Sequence, residues 1–213
     1  ASDEYTRPVK KSENGWPVGR GVGIGWWPCG IEISSARVMV NHDGGVDVTI
    51  GAVDLHGVRT GTAQVAAETL GIEPEEVNVH TADTEGIPYT GNAAGSRITR
   101  TLSQAVYKAG TSVIQQMKEK MADRFGVEPE FGEYEDGYFY ARDNQDSKVS
   151  FKDAGSAVTK NGSNVVATAS NDPGMRPANG YAMAVADVEV DPDTGKVQLT
   201  DFTLFQDVGK CIN

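Results

Sequence analysis

"TGNAAGSRITRTLSQAVYKAG", residues 90–110, changes character halfway. Its first half is small and polar. Its second half opens an apolar stripe: Ile98, Leu102, Ala105, Val106 and Ala109, then Val113, Met117, Met121 and Phe125, recur at helical spacing, and Gly126 is a fitting stop. The stretch predicts a long helix with Gly95-Ser96-Arg97 at its start. Two readings of that start are open. Either Ser96 caps the helix by accepting from the Thr99 N–H, or glycine and alanine clear the space for an anion at the helix N-terminus. Unpaired N–H groups and a positive partial charge converge there, so phosphate or pyrophosphate is the natural guest.

A second stretch of this kind, "AVDLHGVRT" (52–60), sits at a strand-to-helix turn. Before it, "ARVMVNHDGGVDVTIGAVD" (36–54) predicts a hairpin. Val38 and Val40 alternate ahead of Asp43-Gly44-Gly45, and Val46, Val48 and Ile50 alternate after it. After it, "GVRTGTAQVAAETLG" (57–71) predicts a helix ended by Gly71, and "EVNVHTAD" (76–83) a strand. Past Gly126 the pattern predicts a hairpin (133–143), a short helix (152–162), a strand (164–170) and two long strands joined by "DPDTG" (180–209). Residues 1–16 read as a loose lead-in. "GRGVGIGWWP" (19–28) reads as a Gly-rich strand that another backbone approaches closely. The expected class is α+β, with mixed and antiparallel sheets from hairpins and about three helices. The expected organisation is one domain segment, 17–213, with lobes 17–126 and 127–213.

The chain has 213 residues and a formal net charge of -11, which argues against nucleic acid or anionic lipid as the main partner. No apolar run approaches the length of a membrane span. Without a signal-peptide core, the two cysteines, Cys29 and Cys211, are expected as reduced thiols in a cytoplasmic protein. The chain begins without Met and is expected to be processed or cut from a longer protein. Gly21-Val22-Gly23-Ile24-Gly25 puts its third glycine out of register for a dinucleotide fingerprint. His42, His56 and His80 share no metal-ligand spacing, and Asp83 with Glu85 reads as a solvated loop end more readily than as a carboxylate pair.

With these loops in place, the chain resembles the molybdopterin-binding subunit of molybdenum hydroxylases, the family of xanthine dehydrogenase, aldehyde oxidase and carbon monoxide dehydrogenase. "VNHDGGVDVTIGAVDLHGVRTGTAQVAAETLGI", "TADTEGIPYTGNAAGSRITRTLSQAVYKA" and "GYAMAVADVEVDPDTGKVQLTDFTLFQDVGKCIN" carry the resemblance, in the family's order. It implies a molybdenum-cofactor-binding-domain-like fold and a molybdopterin cofactor, in bacteria often the cytosine dinucleotide. The metal is then held by the pterin's dithiolene and not by protein side chains. Cofactor contacts carry over onto Gly95, Ser96 and Arg97 with Ala94 and Thr99 beside them, and onto His56 and Gly57. The implied reaction, in an intact enzyme, is hydroxylation or oxidation of an aldehyde or N-heterocycle, with iron–sulfur and FAD subunits or domains as partners.

Two departures stand out. The family has Gly-Gln-Gly in the first loop where this chain has Leu55-His56-Gly57, so either His56 substitutes for the glutamine, or the cofactor is held differently or not at all. The family's cofactor-binding glutamine and catalytic glutamate downstream, and its substrate-pocket residues upstream, have no counterpart here. The resemblance therefore implies an internal segment of a larger subunit, an expressed fragment or a split one, with no catalytic residue assignable and an inactive isolated chain. A non-catalytic structural or assembly domain of the same fold is the alternative. Trp26, Trp27, Phe202, Leu204 and Phe205 are expected on exposed apolar faces that would support self-association.

Overall fold

The computed structural model describes residues 2–81, 85, 86 and 88–209. In chain order these form α1 Ser2–Thr6, β1 Val18–Pro28, β2 Ser35–Val40, β3 Val46–Ile50, α2 Val58–Leu70, β4 Val77–His80 and α3 Ile98–Phe125. β5 Gly132–Glu135, β6 Tyr138–Ala141, β7 Asn144–Ser150, α4 Phe151–Lys160, β8 Val166–Ser170, β9 Asn179–Val190 and β10 Val197–Asp207 follow. The class is α+β as expected. The additions are α1 and β7, too short and polar to carry a periodic signal. No helix among the described residues is long and apolar enough to cross a membrane.

The chain divides into two compact units, Gly30–Arg176 and the pair Ala1–Cys29 with Pro177–Asn213. The division does not fall at the expected 126/127 boundary. Phe139, Phe151, Ala154, Val158 and Val165, beyond that boundary, share one buried cluster with Leu102, Val106, Val113 and Met121 of α3. A helix buried along one face over its whole length holds the chain on both sides of its end together.

In Gly30–Arg176 the sheet order is β4-β3-β2-β8. β2 pairs antiparallel with β3 and β8, and β3 pairs parallel with β4 across the α2 connection. Strand parity buries Ala36, Val38, Val40, Val46, Val48 and Ile50 against Ala66, Ala67 and Leu70 of α2 and the α3 stripe. A small sheet, β5-β6-β7, adds an aromatic cluster in which the Tyr134 ring lies 4.3 Å from Phe139 and 6.3 Å from Phe151. Ser150 caps α4 by accepting from the Asp153 N–H at 3.1 Å.

The other unit is an antiparallel ribbon, β1-β9-β10, paired from Val18↔Glu189 to Pro28↔Asn179. Gly19, Gly21 and Gly23 have nothing within 4 Å of the place a Cβ would take. Among the described residues, the close backbone approach expected of this strand is not found at these three glycines. The lead-in is also tied down. Arg20 grips both Asp187 oxygens (2.6 and 2.7 Å) and donates through Nη1 to the Glu4 and Tyr5 carbonyls at 2.8 Å, closing the end of α1. Arg7 pairs with Glu4 and Asp201, each at 2.6 Å. The hydrogen bonds from Arg20 hold the buried Asp187 carboxyl below the usual carboxylate range.

Candidate functional site

The two loops singled out in the sequence meet. Leu55, His56 and Val58 face the 93–99 segment across an open cavity of about 410 Å³, whose lining includes Ala94, Gly95, Ser96, Arg97 and Thr99. Gly57 stands at the α2 start beside them as its N-cap residue. None of the lining residues is acidic, in a chain of net charge -11. The cavity volume lies within the range of small-molecule sites, roughly 300–1,000 Å³.

The 51–57 loop leaves β3 at Gly51, where a Cβ would lie 2.4 Å from the Pro88 carbonyl oxygen, so only glycine lets the 88–90 stretch approach. The Val58 N–H donates to the Leu55 carbonyl (3.3 Å), and the Asp54 carboxylate accepts from the Arg59 N–H (3.3 Å), taking one of the orphan donors of α2. His56 and Gly57 both have positive φ, 54° and 76°.

The 91–97 loop is held from behind. Gly91 N–H donates to Ile33 O (2.9 Å), and Gly30 N–H donates to Gly95 O (2.8 Å). Gly95 and Ser96 also have positive φ, 63° and 56°. The cap position of α3 falls to Arg97, in right-handed conformation and with no side-chain cap bond, so Ser96 is not the N-cap that one sequence reading proposed.

Arg97 is 2% exposed, and its guanidinium is a structural clamp. It pairs with Glu32 Oε2 (2.9 Å) and donates to Ser34 Oγ (3.2 Å), the Glu32 carbonyl (3.4 Å) and the Asn92 carbonyl. Beneath it Ser34 is a hub. Its Oγ shares a hydrogen bond with Thr101 Oγ1 (2.8 Å), its N–H donates to Asn171 Oδ1 (2.6 Å), and its carbonyl accepts from Asn171 N–H (3.0 Å). Gly91 makes room for the ion pair: a Cβ there would lie 2.3 Å from Glu32 Oε2 and 2.7 Å from Arg97 Nη2. Arg97 Nε, also buried, has no hydrogen-bond partner among the described residues.

Glu32, Ser34, Thr101 and Asn171 were not singled out from the sequence. Thr101 carried a signal, a hydroxyl on the buried stripe between Ile98 and Ala105. The other three sit in irregular segments where no periodicity marks them. The remaining sequence candidates do not join the cavity. His80 lies beside Asp47 (3.4 Å), and the His42 carbonyl accepts from Ser156 Oγ (3.1 Å). Asp83, of the Asp83–Glu85 pair, and Cys211 lie outside the described residues.

The model of the molybdopterin cofactor-binding domain family matches residues 2–213. Subunit gamma of the 6-hydroxypseudooxynicotine dehydrogenase complex of Paenarthrobacter nicotinovorans is 29% identical, covering 94% of this chain and 26% of its own length. The aldehyde oxidoreductase molybdenum-binding subunit PaoC of Escherichia coli (strain K12) is 33% identical over 61% of this chain and 17% of its own. The chain thus spans about a quarter or less of these relatives. In fold it is similar to CO dehydrogenase from Oligotropha carboxidovorans (TM-score 0.82, 20% identity, 92% of this chain and 26% of that one). It is also similar to quinoline 2-oxidoreductase from Pseudomonas putida 86 (TM-score 0.79, 24% identity, 94% and 28%).

Proposed function

Because the chain belongs to the molybdopterin cofactor-binding domain family, we propose that the cavity between the 55–58 and 93–99 segments is its share of the molybdenum cofactor site. The supporting observation is the meeting of two helix starts, distant in sequence, across one cavity that no acidic side chain lines. The donor set fits a phosphate-bearing cofactor. The first N–H groups of α3 have no intrahelical acceptor, and Ser96 and Thr99 line the cavity beside them. Ala94 and Gly95 keep the approach to the α3 backbone open. His56 can donate one hydrogen bond where the family's glutamine amide offers two. When bound, the cofactor supplies the metal-centred oxidation–reduction chemistry. This chain's residues hold its phosphate end and set its orientation.

In this reading the chain is one segment of a molybdenum-dependent oxidoreductase subunit acting on an aldehyde or N-heterocycle, in the cytoplasm. The rest of that subunit, with iron–sulfur and FAD partners, completes the enzyme. The chain alone is inactive, and the cytosine dinucleotide is the form of the cofactor held. The test is binding of inorganic pyrophosphate to the 213-residue chain, followed by amide NMR. Saturable shifts at Gly57, Ile98 and Thr99, abolished by Ala94→Asp, are the expected result. Shifts confined to other parts of the chain, or a wild-type response in Ala94→Asp, would overturn the assignment.

A further inference from the structure

The four-stranded sheet buries one face on the helices, and its other face carries the residues of opposite parity. The register pairs Arg37 with Thr49 and Thr49 with His80, which places the three in one cross-strand row; Met39, Asp47 and Asn78 form the next. Directly opposed residues on one face stand about 5 Å apart, close enough to act on one ligand. Arg37, Thr49, His80 and Asp47 line a cavity of about 480 Å³, to which Arg59 on the first turn of α2 adds a second guanidinium. None of these residues lines the proposed cofactor cavity.

The hydrogen bonding of Arg37 is incomplete. Its Nη2 donates to Thr49 Oγ1 (3.3 Å), and Thr49 is itself 8% exposed. Its Nε is buried and has no hydrogen-bond partner among the described residues. A buried donor on a charged group is costly to leave unpaired. Nε–H and the second Nη2 hydrogen form the side of the guanidinium that an oxyanion bridges with two parallel bonds. Asp47 does not fill that place, since it accepts from Asn78 Nδ2 (3.3 Å) and lies 3.4 Å from His80 Nε2. What Arg37 Nε lacks is an acceptor.

We propose that this face carries a second binding site, for a small carboxylate or phosphate bearing a neighbouring hydroxyl or amine. The oxyanion bridges the Nε–Nη2 side of Arg37 with Arg59 as the second cation. Asp47 accepts from the neighbouring donor. A lysine at position 37 keeps the charge and loses the fork, so the site distinguishes arginine from lysine. The proposal is independent of the cofactor assignment.

The experiment is a titration of the 213-residue chain with inorganic phosphate and, separately, with lactate, against chloride at equal ionic strength. Arginine Nε–H and backbone amide resonances are followed by NMR. The expected result is a saturable shift of the Arg37 Nε–H and of the Thr49 and His80 amides with at least one of the two anions. The affinity read from the amides should fall at least about tenfold in Arg37→Lys. Ala94→Asp, in the other cavity, should leave it unchanged. If Arg37→Lys fails to fold, Arg59→Gln gives the same reading, because its side chain is exposed at the helix start. No saturable shift with either anion overturns the proposal, as does an affinity that a folded Arg37→Lys or Arg59→Gln chain retains in full.

Discussion

Replacing Arg97 by lysine tests whether the residue at the α3 start serves the fold or the ligand. Lysine keeps the charge and loses the planar fork. In the structure that fork meets Glu32 Oε2 at 2.9 Å, Ser34 Oγ at 3.2 Å and the Asn92 carbonyl, from a side chain 2% exposed. A single ammonium cannot satisfy acceptors spread around a guanidinium, so about two charge-assisted bonds are lost, at roughly 1.5–3 kcal/mol each. The Coulombic part adds little, because the Glu32 side chain is half exposed and water takes over its solvation. The expected destabilisation is about 3 kcal/mol. With a urea dependence of about 2–3 kcal/mol per molar, the unfolding midpoint of the cofactor-free chain should fall by about 1 M. Glu32→Gln should cost less, about 1 kcal/mol or under. Urea titration followed by circular dichroism measures both. A midpoint unmoved in Arg97→Lys, together with weakened pyrophosphate binding, would refute the clamp and make Arg97 a ligand contact alone.

Gly71→Ala and Gly137→Ala should each cost more than about 2 kcal/mol. Both glycines have positive φ, and a Cβ on Gly71 would lie 2.5 Å from Gly137 N while one on Gly137 would lie 2.2 Å from Gly71 O. Thermal unfolding should show Gly23→Ala, with nothing within 4 Å, to be near neutral by comparison. The lowered Asp187 carboxyl adds stability that is present above its unfolded value, about pH 3.9, and is lost as pH falls through the lower folded value. An acid titration read by tryptophan emission should therefore show Asp187→Asn without that part of the acid transition; an identical profile would count against it. On the ribbon, Leu199, Phe202 and Leu204 share a face with the β1 glycines and are 61%, 53% and 53% exposed. The chain should bind a hydrophobic dye or self-associate, and Phe202→Lys with Leu204→Lys should suppress this; sedimentation across a concentration series checks it.

The elements that the sequence made legible are those whose burial is periodic. The α3 stripe and the alternation in β2 and β3 each point to one buried face, and those residues are the core. β7, "NQDSKVS", is mostly exposed and had no such pattern to show. The lead-in was illegible for a different reason. α1 is stabilised by Arg20, whose partners Glu4, Tyr5 and Asp187 come from both ends of the chain. The domain division was misplaced for the same reason: a change of texture after Gly126 is local, whereas the contacts that unite the two sides of it are not. At the site, glycine and small residues marked both loops correctly as neighbours of helix starts. The direction of Arg97 was hidden, because an arginine beside a presumed anion seat looks the same whether it faces the seat or turns to Glu32 and Ser34 behind it.

The backbone itself separates the cavity from the rest of the chain. Among the described residues, three that carry a Cβ have positive φ: His56, Ser96 and Asp136. Asp136 has a local reason, since Asp136-Gly137 is the two-residue turn of the β5–β6 hairpin, where positive φ at both positions matches the strand twist. His56 and Ser96 lie in no hairpin. Each is paired with a glycine, each stands immediately ahead of a helix start, and both line the same cavity. A left-handed conformation at such residues costs on the order of 1–3 kcal/mol and persists only where the surroundings impose it. Around Ser96 the imposition is visible in the Gly30–Gly95 hydrogen bond and the Arg97 clamp; around His56 it lies in the Pro88 carbonyl packed against Gly51 and the Asp54 bond to the α2 start. Two separate sets of restraints thus hold two strained turns at one opening. That is the arrangement to expect where the direction of the turns, and not the stability of the chain, is what the scaffold is built to keep.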